Sequence, residues 1–215
     1  MHLVMFDIDG TLVDSQEFDA ELYAQTIRSV LGIDVDTSWG RYANVTDSGI
    51  LDELLDELDF AADRGDVEAR VKSEFIRKTE SYVARHPGAI REIAGARALI
   101  ELLSSKDTVV LAIATGGWRE TAVLKLRAIG IDPAKIPMAT ASDATSRSAI
   151  TRLAESRSSK SRAALRKTYF GDGHWDQRAS AELNYAFVAI GGRVPHHTAF
   201  ADLSDHAAIL AQLGV

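Results

Sequence analysis

Carboxylates in a short segment near the start of the chain stand at a spacing that suits phosphate chemistry. The segment Asp7-Ile8-Asp9-Gly10-Thr11 directly follows a short apolar stretch. Two carboxylates this close repel each other, so a buried pair has a raised pKa or requires a cation. Mg²⁺ is a hard cation that binds carboxylate oxygens, backbone carbonyls and phosphate oxygens. Asp7 and Asp9 are therefore candidates for a metal and phosphate site.

Three further segments contain groups that would complete such a site. Thr115-Gly116-Gly117 offers a hydroxyl and permissive backbone amides before a helix N-terminus, which favours an anion. Arg147, at the start of another predicted helix, can bind two oxygens of a phosphoryl group. Gly171-Asp172-Gly173-His174-Trp175-Asp176 adds two acids. The first of them, Asp172, can complete a metal site begun by Asp7.

Each segment also has a simpler interpretation. The first could be a calcium loop or an acidic helix cap, although a calcium loop has Glu at its twelfth position and this chain has Phe18 there. Residues 115–117 could form an ordinary turn, and Asp176 could be a helix cap. Arg147 could be a solvated side chain, with Lys160 as the rival cation.

The elements that must position these groups can be predicted from the apolar pattern. Five short apolar segments bounded by turn residues predict buried strands at 3–6, 109–114, 137–141, 168–170 and 186–190. Stretches with helical periodicity lie between the last four, which predicts a doubly wound α/β core with a parallel sheet. Open sheets of this kind bind ligands at the carboxyl ends of their strands, where the candidate residues follow.

A helical insertion separates the first two predicted strands. Between residues 15 and 87, apolar residues form three stripes at helical spacing. Asp14-Ser15 can begin a helix, and His86-Pro87-Gly88 should end one. We therefore predict two domains, a catalytic α/β core formed by residues 1–14 and 88–215 and a helical cap at residues 15–87.

The composition restricts the class of protein. The 215 residues carry a net charge of −7, so there is no general electrostatic attraction to nucleic acid or to an anionic membrane. There is no Cys, which excludes disulfides, thiolate zinc sites and Cys nucleophiles and fits a reducing compartment. No apolar run is long enough for a signal or spanning segment. We predict a cytoplasmic protein.

Charge is unevenly distributed along the chain. Residues 47–68 hold nine acidic residues and one basic residue, whereas residues 147–167 hold seven basic residues and one acidic residue. Solvated helix faces are the simplest interpretation of both tracts.

The four segments in this order, with a helical insertion after the first, resemble the haloacid dehalogenase-like (HAD) superfamily of phosphohydrolases. The matching segments are Asp7-x-Asp9-Gly10-Thr11-Leu12-Val13-Asp14-Ser15, Thr115, Arg147 and Gly171-Asp172-x-x-x-Asp176, similar to its first, second, third and fourth motifs. The insertion looks like the type I helical cap of the phosphoglycolate phosphatase and β-phosphoglucomutase branch. The resemblance implies a Rossmann-like core. It departs from the family at Arg147, where Lys is commoner.

The resemblance implies a Mg²⁺-dependent phosphatase that acts on a small phosphorylated metabolite. Asp7 would attack phosphorus and form an aspartyl-phosphate, which water then hydrolyses. Asp9 would protonate the leaving group and afterwards activate the water. Members of the family with dehalogenase activity lack the second Asp, so Asp9 favours phosphoryl chemistry.

The resemblance also implies which residues bind the ion and the substrate. Mg²⁺ would be held by Asp7, the backbone carbonyl of Asp9, and Asp172, while Asp176 holds a water of the ion or the loop itself. The remaining phosphoryl oxygens would be bound by Thr115, the Gly116 amide and Arg147. Arg41, from the turn between the first two cap helices, could bind a second anionic group of the substrate or lie solvated.

Two other functions remain open at this point. A phosphomutase of the β-phosphoglucomutase type would keep the aspartyl-phosphate while an intermediate turns around. A non-catalytic, phosphate-responsive binding protein would accept phosphate on Asp7 for signalling. The sequence leaves open the identity of the substrate and whether the protein is a monomer or a homodimer.

Overall fold

The computed structural model of the chain describes residues 1–60, 63–158 and 166–215. In chain order the strands are β1 (His2–Phe6), β2 (Val13–Asp14), β3 (Arg91–Glu92), β4 (Val109–Ala114), β5 (Met138–Ala139), β6 (Arg166–Gly171), β7 (Ala186–Ile190) and β8 (Ala199–Phe200). The helices are α1 (Gln16–Leu31), α2 (Asp47–Glu57), α3 (Arg64–Arg85), α4 (Ala96–Ser104), α5 (Arg119–Ala128), α6 (Arg147–Arg157), α7 (His174–Glu182) and α8 (His206–Leu213).

A parallel sheet forms the centre of the molecule, with the strand order β5-β4-β1-β6-β7-β8. In the middle of it, Phe6 of β1 is in register with Ile113 of β4 on one side and Phe170 of β6 on the other. After β1 the chain forms β4 and β5 on one side of β1, and then β6, β7 and β8 on the other side. This reversal of strand order opens a crevice at the carboxyl ends of β4, β1 and β6.

In the central strands of the sheet, alternate residues belong to two separate clusters of buried side chains. Leu3 and Met5 of β1 pack in the cluster that includes Ile150 of α6. Val4 and Phe6 belong to the larger cluster, which includes residues of α4, α5 and α8. Burial on both faces explains why these strands are continuous apolar runs. The predicted α/β core is confirmed.

The helices α1, α2 and α3 form a cap that is inserted between β2 and β3. These two short strands pair antiparallel, with Val13 opposite Glu92 and Asp14 opposite Arg91. The Arg91 Nη2 lies 2.5 Å from Asp14 Oδ2. The outgoing and returning connections of the cap therefore run side by side in one two-stranded ribbon.

Some elements differ from the sequence prediction. The strand expected at 137–141 is reduced to Met138–Ala139, and the two-residue strands β2, β3 and β8 carry no periodic signal that could have predicted them. Lys160 and residues 159–165 of the basic tract lie outside the described residues. Within the three described ranges, no helix combines the length and the apolar character needed to cross a bilayer.

Candidate active site

The carboxyl ends of three neighbouring strands bring Asp7, Thr115 and Asp172 to one edge of the sheet. They follow β1, β4 and β6, and their relative exposures are only 2%, 1% and 2%. The ladders continue into this edge, because the Asp7 N–H donates to the Phe170 carbonyl at 2.9 Å. The convergence expected from the sequence is therefore present in the structure.

Three of the predicted metal ligands form a compact acidic cluster. Asp7, Asp172 and Asp176 each have a carboxylate oxygen within 4.8 Å of those of the other two. Burial raises the pKa of Asp7 and of Asp172 to about 7 and that of Asp176 to about 6, and repulsion between the neighbouring carboxylates adds to the shift. The cluster would thus be stabilised by a cation.

Arg147 begins α6 and supplies the positive charge nearest to this cluster. Its Nη1 lies 3.0 Å from Asp7 Oδ1, and its Nε lies 3.4 Å from Asp176 Oδ1. Only 8% of Arg147 is exposed, so it is not a solvated side chain. Asp176 also accepts a hydrogen bond from the Gly173 N–H at 3.2 Å, so it caps α7 while it faces the cluster.

Asp9 is oriented by two donors that hold one of its oxygens. The Ser15 hydroxyl donates to Oδ1, and the Lys125 Nζ lies 2.7 Å from the same atom. Oδ2 lies beside Gly117 in the loop that follows β4. The Asp9 carboxylate therefore presents its second oxygen toward the loop that was predicted to bind the phosphoryl group.

Lys125 is a fully buried lysine of α5 that the sequence interpretation missed. Its Nζ lies 2.7 Å from Asp9 Oδ1 and 2.7 Å from Asp19 Oδ1 of the cap. Burial acts to lower the pKa of Lys125, but the Asp19 and Asp9 carboxylates outweigh that effect and the net shift is upward. Lys125 is therefore a cation shared between the core and the cap.

Gln16 and Gly10 surround the point where the Asp9 carbonyl and Asp172 face each other. The Gln16 Nε2 donates to the Asp9 carbonyl at 3.2 Å and to Asp172 Oδ2 at 2.5 Å. Gly10 has a left-handed φ of 79°, and a Cβ there would lie 2.3 Å from Asp172 Oδ2. Glycine is therefore required at residue 10 for the chain to pass so close to the carboxylate.

The acidic cluster fits a divalent cation on two further grounds. Asp172 Oδ1 is buried and has no hydrogen-bond partner among the residues that the structure describes. The Asp9 carbonyl and the Asp172 carboxylate converge on one donor, the Gln16 amide. Carboxylate and carbonyl oxygens gathered in this way are the donor set that Mg²⁺ prefers.

A cavity of about 110 Å³ lies between the core and the cap above these residues. From the core it is lined by residues that include Asp7, Asp9, Thr115, Gly116 and Arg147, and from the cap by residues that include Asp19, Tyr23, Trp39 and Asp47. The cap is closed on the core, because the Thr46 hydroxyl donates to the Thr145 carbonyl at 2.6 Å.

Arg41, which the sequence suggests as a substrate-binding residue, does not line this cavity. Its Nη2 lies 2.9 Å from Glu57 Oε2, and its guanidinium carbon lies 4.6 Å from the centre of the Tyr42 ring. These contacts hold the side chain on the exposed surface of the cap. Of two tryptophans near the motifs, Trp175 lines the cavity, whereas Trp118 is fully buried.

Comparisons with known proteins agree with this architecture. A structure of a hydrolase from Pseudomonas syringae has a TM-score of 0.77 at 20% identity and covers 99% of both chains. CbbY from Rhodobacter sphaeroides in complex with phosphate has a TM-score of 0.70 at 17% identity and covers 99% of both chains. β-Phosphoglucomutase from Clostridium difficile has a TM-score of 0.72 at 14% identity, covering 99% of this chain and 96% of that chain. No curated protein sequence matches this chain.

The fold and the site together define an α/β protein in which a parallel sheet carries a buried acidic site beneath a helical cap. Residues 4–190 match the haloacid dehalogenase-like hydrolase family. The chain therefore belongs to that family, which confirms the resemblance seen in its four motifs.

Proposed function

We propose that this protein is a Mg²⁺-dependent phosphatase that hydrolyses a small phosphate ester through an aspartyl-phosphate on Asp7. The observation that carries the proposal is the position of Asp7, which lies buried at the end of β1, lines the cavity and has the Arg147 guanidinium 3.0 Å from its Oδ1. Arg147 would orient this carboxylate and neutralise charge on the phosphoryl group as the new bond forms.

Asp9 would carry the proton in both half-reactions. Its Oδ1 is held by Ser15 and Lys125, so Oδ2 is the atom that would protonate the leaving oxygen and later take a proton from water. Splitting the displacement into formation and hydrolysis of an aspartyl-phosphate replaces one difficult step with two easier ones.

The Mg²⁺ ligands would be Asp7, Asp172 and the Asp9 carbonyl, with Asp176 beside them. When bound, the ion would neutralise the buried carboxylates and polarise the phosphoryl oxygens. Thr115 and the Gly116 amide line the cavity between this cluster and the cap, where they would bind the remaining oxygens.

Release of inorganic phosphate tests the proposal directly. We expect the protein to hydrolyse p-nitrophenyl phosphate with Mg²⁺ and to lose this activity in EDTA. Asp7→Asn should abolish turnover, and an acid quench of the native enzyme should show one phosphoryl group on the Asp7 peptide. Asp107→Asn is the matched control, because Asp107 is exposed in the turn before β4.

Each competing function predicts a different result in the same assay. A mutase would isomerise a sugar phosphate without net release of phosphate, and a binding protein would become phosphorylated on Asp7 without turnover. An Asp7→Ala protein that keeps most of the phosphatase rate would overturn the proposal.

We also propose that the protein acts on a small phosphorylated metabolite and has no nucleic-acid or membrane partner. It would act as a monomer or homodimer in the cytoplasm. Size-exclusion chromatography with light scattering would determine which of the two assemblies forms.

A further inference from the structure

We propose that the leaving group of the substrate is short and carries an organic cation, an ammonium group, which binds Asp47 and Trp39 on the cap side of the cavity. This inference rests on the proposed phosphatase function and names its substrate class. It predicts an aminoalkyl phosphate ester as the substrate.

The charges that the cap contributes to the cavity are negative. Asp19 and Asp47 are the ionisable carboxylates of the cap in its lining, and the cap portion that the structure describes supplies no Lys or Arg to it. Arg41, which could have bound a second anion, pairs with Glu57 outside the cavity. Arg193 of the core also lines the cavity, but it is largely exposed and its Nη1 lies 3.6 Å from Asp172 Oδ2. A second carboxylate or phosphate on the leaving group would therefore meet no cation among the described residues of the cap.

Asp47 differs from Asp19 in that no described cation contacts it directly. Lys125 lies between Asp9 and Asp19 at 2.7 Å from each, and it is the partner of both. Over the ranges that the structure describes, Asp47 forms no ion pair. Burial is the main cause that raises the pKa of Asp47 to about 8, and repulsion from the Asp19 carboxylate adds to the shift. A bound ammonium would stabilise the ionised form.

Asp47 is fixed next to the loop that would bind the phosphoryl group. Its Oδ2 accepts the Trp118 N–H at 2.8 Å, and its own N–H donates to the Gly116 carbonyl at 2.8 Å. A carboxylate held this close to Gly116 can be reached only by a short chain on the esterified oxygen.

Trp39 and Tyr23 supply aromatic rings on the same side of the cavity as Asp47. The Trp39 ring lies 5.9 Å from that of Tyr23 in an edge-to-face arrangement, and both residues line the cavity. The Tyr23 hydroxyl donates to the Asp47 carbonyl at 2.6 Å, which places these rings near Asp47. Aromatic rings together with a carboxylate form the type of pocket that binds ammonium groups.

Four short esters test the inference, of which three share a two-carbon linker and the fourth, carboxymethyl phosphate, has its carboxylate on a single methylene. The measured quantity is kcat/KM for 2-aminoethyl, 2-hydroxyethyl, n-propyl and carboxymethyl phosphate, which place an ammonium, a hydroxyl, a methyl and a carboxylate at nearly the same point. We expect the aminoethyl ester to exceed the propyl ester at least about tenfold, the hydroxyethyl ester to fall between them, and the carboxymethyl ester to be poorest.

Two variants assign this preference to Asp47. In Asp47→Asn, which keeps an oxygen to accept the Trp118 N–H, the ratio of aminoethyl to propyl ester should fall below about threefold. Asp52→Asn, the same change on an exposed position of α2, should keep the wild-type ratio. Trp39→Leu should lower the ratio as well, since it removes the aromatic face.

Equilibrium binding keeps the test independent of turnover. Aminoethyl and propyl phosphate are titrated into Asp7→Asn and into the double variant Asp7→Asn with Asp47→Asn. The ratio of the two dissociation constants measures the same preference for ammonium in proteins that do not turn over.

A preference for the hydroxyl, methyl or carboxylate ester overturns the inference, and so does an ammonium preference that survives Asp47→Asn. If p-nitrophenyl phosphate is hydrolysed in these cases, the proposed phosphatase function stands. If no ester and no p-nitrophenyl phosphate is hydrolysed, both proposals fail.

Discussion

The Nζ of Lys125 lies 2.7 Å from Oδ1 of Asp9, the residue that would transfer the proton. We predict that Lys125→Met lowers kcat about 10- to 100-fold with little change in KM, because the Asp9 carboxylate loses the contact that fixes its orientation. Unfolding in urea should show a loss of about 3 kcal/mol, since Asp9 and Asp19 are left without their cation.

Lys135→Met provides the control for this change, because Lys135 is exposed at the surface. It should leave both kcat and stability close to those of the native protein. A Lys125→Met enzyme with native kcat would show that Asp9 is oriented by Ser15 alone.

Arg147 joins two buried carboxylates and should be more sensitive to substitution than an exposed arginine of the same helix. Arg147→Met leaves Asp7 and Asp176 unpaired, so we expect a loss of about 3–5 kcal/mol in the free energy of unfolding. Phosphatase activity should fall by a factor of roughly 10² or more. Arg147→Lys should retain part of both, since it keeps the charge but not the planar fork.

Arg152→Met is the matched control on α6. Its side chain is 59% exposed and pairs with Glu182 at the surface, where an ion pair contributes little. Equal losses in the two Met variants would contradict the role assigned to Arg147.

The sequence was sufficient to predict the sheet edge at which the site forms. Residues 3–6 and 109–114 are apolar runs followed directly by Asp7 and Thr115, and residues 168–170 are followed by Gly171 and then Asp172. Parallel strands bring their carboxyl ends together. The cap was predictable because its helices carry clear apolar stripes. The local sequence pattern is therefore sufficient to place a site residue that follows the end of a regular strand.

The cap side of the cavity could not be predicted in the same way. Asp47 belongs to an acidic tract whose simplest interpretation from the sequence is a solvated helix face, yet it lines the cavity because α2 begins against the loop after β4. Lys125 did leave a signal, since it shares a buried stripe with Ala122 and Leu126. A lysine in an apolar stripe requires a buried anion, but the sequence alone does not show that Asp9 and Asp19 supply it.

The raised pKa values of the acidic cluster predict how stability and Mg²⁺ binding depend on pH. In the metal-free protein, Asp7 and Asp172 have a pKa of about 7, above the ordinary value of 3.8, so they bind protons more tightly folded than unfolded. Their contribution to stability is complete below pH 4 and is lost as the pH rises through 7. The metal-free protein should therefore melt at lower temperature at pH 8 than at pH 5.

Mg²⁺ should reverse this loss, because it binds the ionised carboxylates. Differential scanning calorimetry should show a larger increase in Tm on adding Mg²⁺ at pH 8 than at pH 5. Asp172→Asn should reduce both the pH dependence and the Mg²⁺ effect, whereas Asp107→Asn should change neither. An equal Mg²⁺ effect at the two pH values would contradict a site built on these carboxylates.

Gly49 lies where α2 packs against the core, and a single methyl group there should open the cap. A Cβ at Gly49 would lie 2.8 Å from the Thr145 carbonyl oxygen and 2.8 Å from that of Asn44, which is too close for either. Gly49→Ala would favour the helix by about 1 kcal/mol if the space were free. The clash should instead cost about 1–3 kcal/mol in stability and raise KM, because the cap can no longer close on the Thr145 loop.

Gly65→Ala makes the same change near the start of α3, where the nearest atom to the new Cβ is Asp63 Oδ1 at 3.2 Å, and it should leave KM unchanged. If Gly49→Ala were instead more stable than the native protein and kept its KM, the closed contact between cap and core would not be needed for catalysis.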